Sequence, residues 1–348
     1  MAQGTSGKPS PLAEGIFRRE ILPWGLLGFA LGLVEGATAA VLVKQHCAGR
    51  ASALAVNLAV GLVSGAPGFA NGRSLAWANL AHGRARVQLL VPLQAAFALV
   101  VGGVARASRA AAGLAVTVLV IIAARVVWAG ILTVRAAVWT ANYPRNVLAR
   151  MTGRIVIVNA CSVGAAAVLV GFALGARAVD ARWLYGGGAL ARPAGAWLYR
   201  AMRVWREFRL LAAEAAHGAS REPFSPRMLT QILREDPAYR QYMLSMGICG
   251  AGNLMFTALL VLVFAQALQR PGGLQIVLLA VVPLVTQPLF LPAWARLFDG
   301  SHVVRCRSRQ GRALVAAPRS SRSGCSRARW HSCGSARWCS ARHRPVLI

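Results

Sequence analysis

The sequence predicts an all-α polytopic membrane protein, and three observations carry that prediction. Of the 348 residues, 56% are hydrophobic and only 14% are charged, and the mean hydropathy is +0.51. The apolar residues form long uncharged blocks, and none of these blocks alternates apolar and polar residues as a barrel strand would. A helix of about 20 apolar residues crosses a bilayer and satisfies its own backbone there. Two soluble domains, which length alone favours, and a disordered chain are therefore excluded.

Eight apolar blocks are candidate spans in chain order. The first has the full length of a span and leads directly to the second, so it is expected to be retained and not cleaved as a signal peptide. In the sixth block Arg192-Pro193 interrupts the apolar run, and a broken or re-entrant segment is an alternative there. The eight blocks cover approximately 22–43, 51–70, 87–105, 111–134, 155–175, 183–199, 241–265 and 273–295.

The spacing of these blocks predicts four regions. Residues 1–200 form a six-helix N-terminal transmembrane bundle, and residues 201–240 form a cytoplasmic connector rich in Arg and Glu. Part of the connector, roughly 201–216, is expected to lie as an amphipathic helix on the anionic leaflet. Residues 241–304 begin a C-terminal bundle with two helices, and residues 305–348 form a basic tail.

The net charge of +29 does not predict a nucleic-acid partner, because the Lys and Arg residues lie between apolar blocks and not on ordinary amphipathic elements. Placing the N-terminus in the cytoplasm puts more than twice as many of them in cytoplasmic loops as in external ones. Since short cytoplasmic loops carry the excess of Lys and Arg, we expect a multi-pass protein of the inner (plasma) membrane with a cytoplasmic N-terminus. The lipid bilayer is its expected environment, and we expect a monomer.

The chain contains an internal repeat. Trp77-Ala78-Asn79-Leu80-Ala81-His82-Gly83 follows span two, and Trp294-Ala295-Arg296-Leu297-Phe298-Asp299-Gly300 follows span eight. At the same offset, the Glu35-Gly36 turn of span one corresponds to Gly252-Asn253 of span seven. Six spans separate the two copies, so the repeat is parallel, related by an axis along the membrane normal.

Six spans, a basic connector and a parallel second copy resemble the major facilitator superfamily of secondary transporters. Gly83-Arg84-Ala85-Arg86 is similar to the end of that family's signature loop between spans two and three, with Leu80 in place of the signature Asp. Tyr143-Pro144-Arg145 and Gly153-Arg154 are similar to its loop after span four, and Arg125 to its intramembrane arginine. The resemblance covers about residues 16–304. It implies alternating access and a cytoplasmic gating loop made of Trp77, Gly83, Arg84, Arg86, Trp294, Asp299 and Gly300.

The second copy is predicted to be incomplete, since a whole one needs four more spans. From Arg305 the composition changes to one rich in Arg, Ser and Cys without Asp or Glu. We interpret the tail as non-native, the product of a frame-shift in a GC-rich gene. A disordered tail and a basic arm for nucleic acid are alternatives. The spacing of the potential zinc ligands Cys325, His331, Cys333 and Cys339 fits no standard finger.

Glu35 and Arg125 are the candidate functional residues, because an ionisable side chain inside a span is costly and marks a functional site. Glu35 is the only acid inside a predicted span. It lies beside a stripe of Gly28, Gly32 and Gly36, where neighbouring helices approach closely. Arg125 is its expected counter-charge, since the resemblance implies that spans one and four line the central cavity. Protonation of Glu35 would release the pair and couple protons to a conformational change; a static buried ion pair is the alternative. Arg192, the third charged residue of a span, is interpreted as a snorkelling residue.

Amides and an aromatic inside spans are second-rank candidates for the substrate cavity, although hydrogen bonding between helices is an alternative role for each. These residues are Asn57, Gln94, Trp128, Asn159, Asn253 and Gln287. No nucleotide loop or cluster of metal ligands is recognisable, so we expect no cofactor, no metal and no enzyme. The predicted function is proton-coupled transport of a small solute. An inactive, truncated half-transporter and another polytopic membrane protein, such as a membrane enzyme, are the alternatives.

Overall fold

The computed structural model is predominantly helical in the part of the chain that it describes, which comprises residues 11–47, 51–104, 111–176, 185–186, 194–202, 204–205, 207–218, 225–267 and 272–300. No strand occurs in these ranges. The first seven helices are α1 (Pro11–Leu33), α2 (Gly36–Cys47), α3 (Ala53–Asn71), α4 (Ser74–Ala81), α5 (Arg86–Val104), α6 (Ala111–Asn142) and α7 (Arg145–Ala176). The later ones are α8 (Glu207–Gly218), α9 (Pro226–Glu235), α10 (Pro237–Leu262), α11 (Gly272–Ile276) and α12 (Val282–Gly300), with π-helical segments at Val263–Ala267 and Val277–Val281.

Within the described residues, seven helical stretches are long and apolar enough to cross a membrane, as in an all-α multi-pass membrane protein. They are Pro11–Gln45, Ala53–Asn71, Arg86–Val104, Gly113–Asn142, Val147–Ala173, Pro237–Gln266 and Gly273–Ala293. They coincide with seven of the predicted spans. The predicted sixth span, with Arg192, lies mostly outside the described residues, and so does the tail 305–348.

Polar caps fix several of the helix ends. The Ser52 side chain accepts a hydrogen bond from the Ala55 amide at the start of α3, and Asp236 does the same for Tyr239 at the start of α10. Ser225 caps α9, and proline follows the cap in both α9 and α10. These side chains satisfy amide groups that have no partner inside the helix.

The first span is interrupted between α1 and α2. The helix ends at Leu33, and Val34 and Glu35 form a turn before α2 begins at Gly36. The Leu33 carbonyl accepts a hydrogen bond of 3.0 Å from the Tyr185 hydroxyl, which satisfies an acceptor near the end of α1. The corresponding pair of the internal repeat, Gly252-Asn253, lies within the continuous helix α10.

The stripe of small residues in the first span packs against α7. A Cβ at Gly28 would lie 2.9 Å from the Asn159 carbonyl oxygen, and one at Gly32 would lie 2.6 Å from that of Val163. No atom lies within 4 Å of the corresponding point at Gly36. The predicted close approach therefore occurs at Gly28 and Gly32 and does not extend to Gly36, because the chain turns at Glu35.

Candidate functional site

Glu35 lies in the interruption of the first span, where the chain is not helical. Its Oε1 atom is 2.6 Å from Nη2 of Arg125, which donates a hydrogen bond to it from α6. The structure thus places the two leading sequence candidates in direct contact. The ion pair compensates the charges of Glu35 and Arg125 in the apolar part of the bundle, where an unpaired charge is costly.

The two side chains of this pair differ in exposure. The Arg125 side chain is 5% exposed, whereas the Glu35 side chain is 32% exposed. The carboxylate is therefore the more accessible partner of the pair, and the guanidinium is buried. The Nε atom of Arg125 has no hydrogen-bond partner, so the contact with Glu35 is the interaction that the structure shows for this cation.

A second acid and arginine pair joins the same two spans closer to the N-terminus. Glu20 of α1 and Arg135 of α6 are 2.7 Å apart, with side chains 0% and 1% exposed. The Glu20 carboxylate also accepts hydrogen bonds of 2.9 Å from Nε1 of Trp139 and from the Tyr143 hydroxyl. This carboxylate is fully enclosed and well compensated, as a buried charge has to be.

Aromatic rings surround the guanidinium of Arg135. The ring of Trp24 lies 3.1 Å from its Cζ atom, and the rings of Trp139 and Tyr199 lie at 4.7 Å and 5.9 Å. Aromatic faces stabilise a desolvated cation. Trp24 in turn stacks on Trp128 with centroids 5.4 Å apart. The pair and these rings form one closed cluster, which we call the Glu20 cluster: Glu20, Trp24, Trp128, Arg135, Trp139, Tyr143 and Tyr199.

Glu35 is not the only acid that the helices enclose, because Glu20 is buried as well. The helical stretch that contains the first candidate span begins at Pro11, before the apolar block at 22, and the one that contains the fourth continues to Asn142, past residue 134. Glu20 and Arg135 lie just outside the apolar blocks 22–43 and 111–134, and both are nevertheless buried. The available signal was the ring of aromatic residues at these span ends, which is what a buried cation would require.

The predicted gating loop is held by the connector. Gly83 adopts a φ of 68°, and its amide donates a hydrogen bond of 2.9 Å to Glu214 of α8. The Arg86 guanidinium forms an ion pair with Glu214, and the Arg86 amide donates to Glu207 at 2.8 Å. Glu207 and Glu214 lie seven residues apart on one face of α8. Residues 201–216 were expected to form a helix on the membrane surface. In the structure α8 begins at Glu207, and Glu207 and Glu214 attach it to the Gly83 loop.

We call the contacts of Glu207 and Glu214 with the Gly83 loop the latch. The charges around Glu214 in the latch favour its ionised carboxylate. Partial burial raises its pKa, but hydrogen bonds from the Arg86 guanidinium and the Gly83 amide and the charges of Arg86 and His82 lower it more. The net pKa lies below the usual 4.5. His82 lies 3.9 Å from the same carboxylate. Arg84 contributes only its carbonyl, which accepts from Arg86 at 3.1 Å.

The two copies of the loop motif differ in structure. Trp77 lies in α4, a separate short helix, and its ring packs where a Cβ of Gly130 would be. In the second copy, Trp294, Asp299 and Gly300 continue α12 without a turn, and their side chains lie outside the described residues.

The six second-rank candidates are not brought together. Gln94 and Trp128 are buried among the first helices, and Asn159 lies against Gly28. Asn57 contacts Lys44 and Gln266. Asn253 and Gln287 are exposed on α10 and α12. They therefore form no common cavity in this arrangement.

Comparison of the chain with protein-family models, with curated proteins and with solved structures finds no match. The fold and the buried charges define the class at the level of an α-helical multi-pass membrane protein.

Proposed function

We propose that the protein is a proton-coupled secondary transporter of the major facilitator type, which moves a small solute across the inner (plasma) membrane with its N-terminus in the cytoplasm. The observation that carries this proposal is the contact between Glu35 and Arg125 at the interruption of the first span. Discontinuous spans with a charged residue at the break are typical of solute and ion sites in transporters. The sequence features that resemble the superfamily agree with the proposal.

In this mechanism the ion pair is the switch. Protonation of Glu35 removes its negative charge, so the attraction to Arg125 is lost and the guanidinium becomes free to bind an anionic group or another part of the protein. The proton then biases the equilibrium between two conformations, because it binds one of them better. The Glu20 cluster stays closed and keeps α1 and α6 together while the Glu35 pair opens.

The connector supplies the gate in this mechanism. Glu207 and Glu214 of α8 hold the loop at Gly83 and Arg86. Release of these charged contacts would free the loop to move with the bundle.

The proposal is tested by transport into proteoliposomes that contain the full chain. An inward proton gradient is imposed, and labelled amino acids, sugars, carboxylates and organic cations are offered in turn. We expect at least one class to accumulate above its external concentration and to leave when an uncoupler collapses the gradient. Uncoupler-insensitive equilibration of every class would contradict proton coupling.

A second candidate function is that of an inactive half-transporter. The observation that favours it is the low burial of the last two spans. In the most apolar part of each span, only 6% is buried in Pro237–Gln266 and 17% in Gly273–Ala293. In this case the chain accumulates no solute. Activity would appear with a version of the gene whose reading frame is restored after residue 304, and equal activity of both versions would rule this candidate out.

A further inference from the structure

Three polar side chains meet at the opposite end of the bundle from the Gly83 loop. The Asn57 carbonyl oxygen accepts a hydrogen bond of 2.7 Å from Nζ of Lys44 and one of 3.2 Å from Nε2 of Gln266. Lys44 lies near the end of α2, Asn57 near the start of α3 and Gln266 in the π-helical segment after α10. This cluster therefore ties the first two spans to the first span of the C-terminal pair.

Further contacts join the two sets of spans near this end. In the C-terminal spans the buried apolar residues are Val261, Ile276 and Ala280, which lie on both sides of the connection between α10 and α11. Nearby, a Cβ at Gly171 of α7 would lie 3.4 Å from the Gly273 carbonyl oxygen.

The N-terminal half of α10 is less closely packed. A Cβ at Gly247, Gly250 or Gly252 would meet no atom within 4 Å. Residues 237–252 are exposed, apart from two of intermediate exposure. Spans two and seven also stay in contact away from the Asn57 end, since a Cβ at Gly68 of α3 would lie 2.8 Å from Cδ1 of Leu254 in α10. The Asn57 cluster lies at one end of this contact.

We propose that the Asn57 side chain holds the external ends of spans two and seven together and so locks the gate on the external side. This role differs from the substrate binding that the sequence suggested for Asn57. The assignment of sides rests on the proposed function and its cytoplasmic N-terminus. Asn57 is suited to this role because one carbonyl oxygen accepts from a cation of its own bundle and from an amide of the other.

The π-helical segment that carries Gln266 provides a way for the contact with Asn57 to break. Such segments place one extra residue in a turn and are frequent at functional sites. Val263–Ala267 carries Gln266, and Val277–Val281 follows α11. A return of the first segment to α-helical winding would rotate Gln266 away from Asn57. The contact with Lys44, which lies wholly within the first two spans, is retained when the gate opens.

The test measures the distance across the gate in the full chain in lipid nanodiscs. Native cysteines are replaced by serine, and spin labels are attached at Leu54 and Leu274, which are exposed beside the cluster on the two sets of spans. We expect one short-distance population for the parent. Asn57→Ala should add a longer population and raise the ratio of open to closed molecules about tenfold, as expected for loss of a hydrogen bond of ordinary strength.

Three further variants separate a lock from general damage. Asn57→Asp keeps an acceptor opposite Lys44 and Gln266, so it should retain the short distance. Gln266→Ala should open the gate, whereas Gln241→Ala, which truncates an exposed glutamine on α10, should not. An unchanged distance distribution in both Asn57→Ala and Gln266→Ala, or equal opening in Gln241→Ala, would overturn the proposal. The distances require neither a solute nor a proton gradient, so their outcome is independent of the transport assay.

Discussion

The Glu20 carboxylate and the Arg135 guanidinium lie 2.7 Å apart and are both completely buried, whereas the Glu35 partner of Arg125 keeps about a third of its side-chain surface exposed. The same two spans therefore carry one sealed ion pair and one accessible pair. Loss of either partner of the sealed pair would leave the other charge buried without compensation. The more exposed pair is the one to which the proposed function gives the proton-coupling role.

Glu20→Gln should destabilise the protein strongly. The substitution leaves the Arg135 cation buried without its counter-charge, which costs about 3–5 kcal/mol. Thermal unfolding in detergent measures the loss. The control is Glu14→Gln, which removes an exposed pair with Arg18 and should cost less than about 1 kcal/mol. Equal changes in the two variants would show that the buried pair has no special role.

The latch between α8 and the Gly83 loop should weaken in acid. The pKa of Glu214 is lower when α8 is docked than its usual 4.5, so its contribution is complete above that usual value. The contribution is lost as the pH falls through the lowered pKa. Hydrogen exchange of the α8 amides, corrected for the intrinsic effect of pH, should therefore show protection at neutral pH that disappears in acid.

Glu214→Gln should remove most of this protection at neutral pH, because an amide cannot replace the charge opposite Arg86. Glu235→Gln is the matched control, since Glu235 accepts a hydrogen bond only from Gln231 within α9 among the contacts shown. If Glu214→Gln keeps the pH dependence of the parent protein, another group controls the docking.

Gly32→Ala should force α1 away from α7. The added methyl group would lie 2.6 Å from the Val163 carbonyl oxygen and 2.7 Å from Cβ of Ala166, and overpacking of this kind costs about 1–3 kcal/mol. Gly15→Ala, in the same helix with no atom within 4 Å, should be neutral or stabilising by up to about 1 kcal/mol. Thermal unfolding of the two variants checks the difference, and a destabilised Gly15→Ala with an unaffected Gly32→Ala would refute it.

The sequence predicted most reliably the features that depend on hydropathy or on charge alone. Long apolar blocks require helices in a bilayer, so the existence and approximate position of seven spans follow from composition, whereas the helices of the first and fourth continue beyond their apolar blocks. A lone acid and a lone arginine in two such blocks require compensation, and Glu35 and Arg125 meet as that requirement demands.

The remaining features depend on tertiary contacts that a single sequence does not reveal. Glu20 and Arg135 lie where spans meet polar segments, and hydropathy cannot distinguish a buried ion pair there from two solvated charges. The break at Glu35 depends partly on Tyr185, far away in the sequence, which binds the Leu33 carbonyl. The docking of α8 likewise depends on two loop residues more than 120 positions earlier.

The most direct test of the central claim compares Glu35→Gln with Glu14→Gln in proteoliposomes loaded with a pH-sensitive dye. A solute accumulated by the parent protein is added, and the internal pH is recorded together with exchange of labelled for unlabelled solute in the absence of a gradient. We predict that Glu35→Gln retains exchange but moves no protons, while Glu14→Gln behaves like the parent. Proton movement by Glu35→Gln at the parent's rate and stoichiometry would contradict the account.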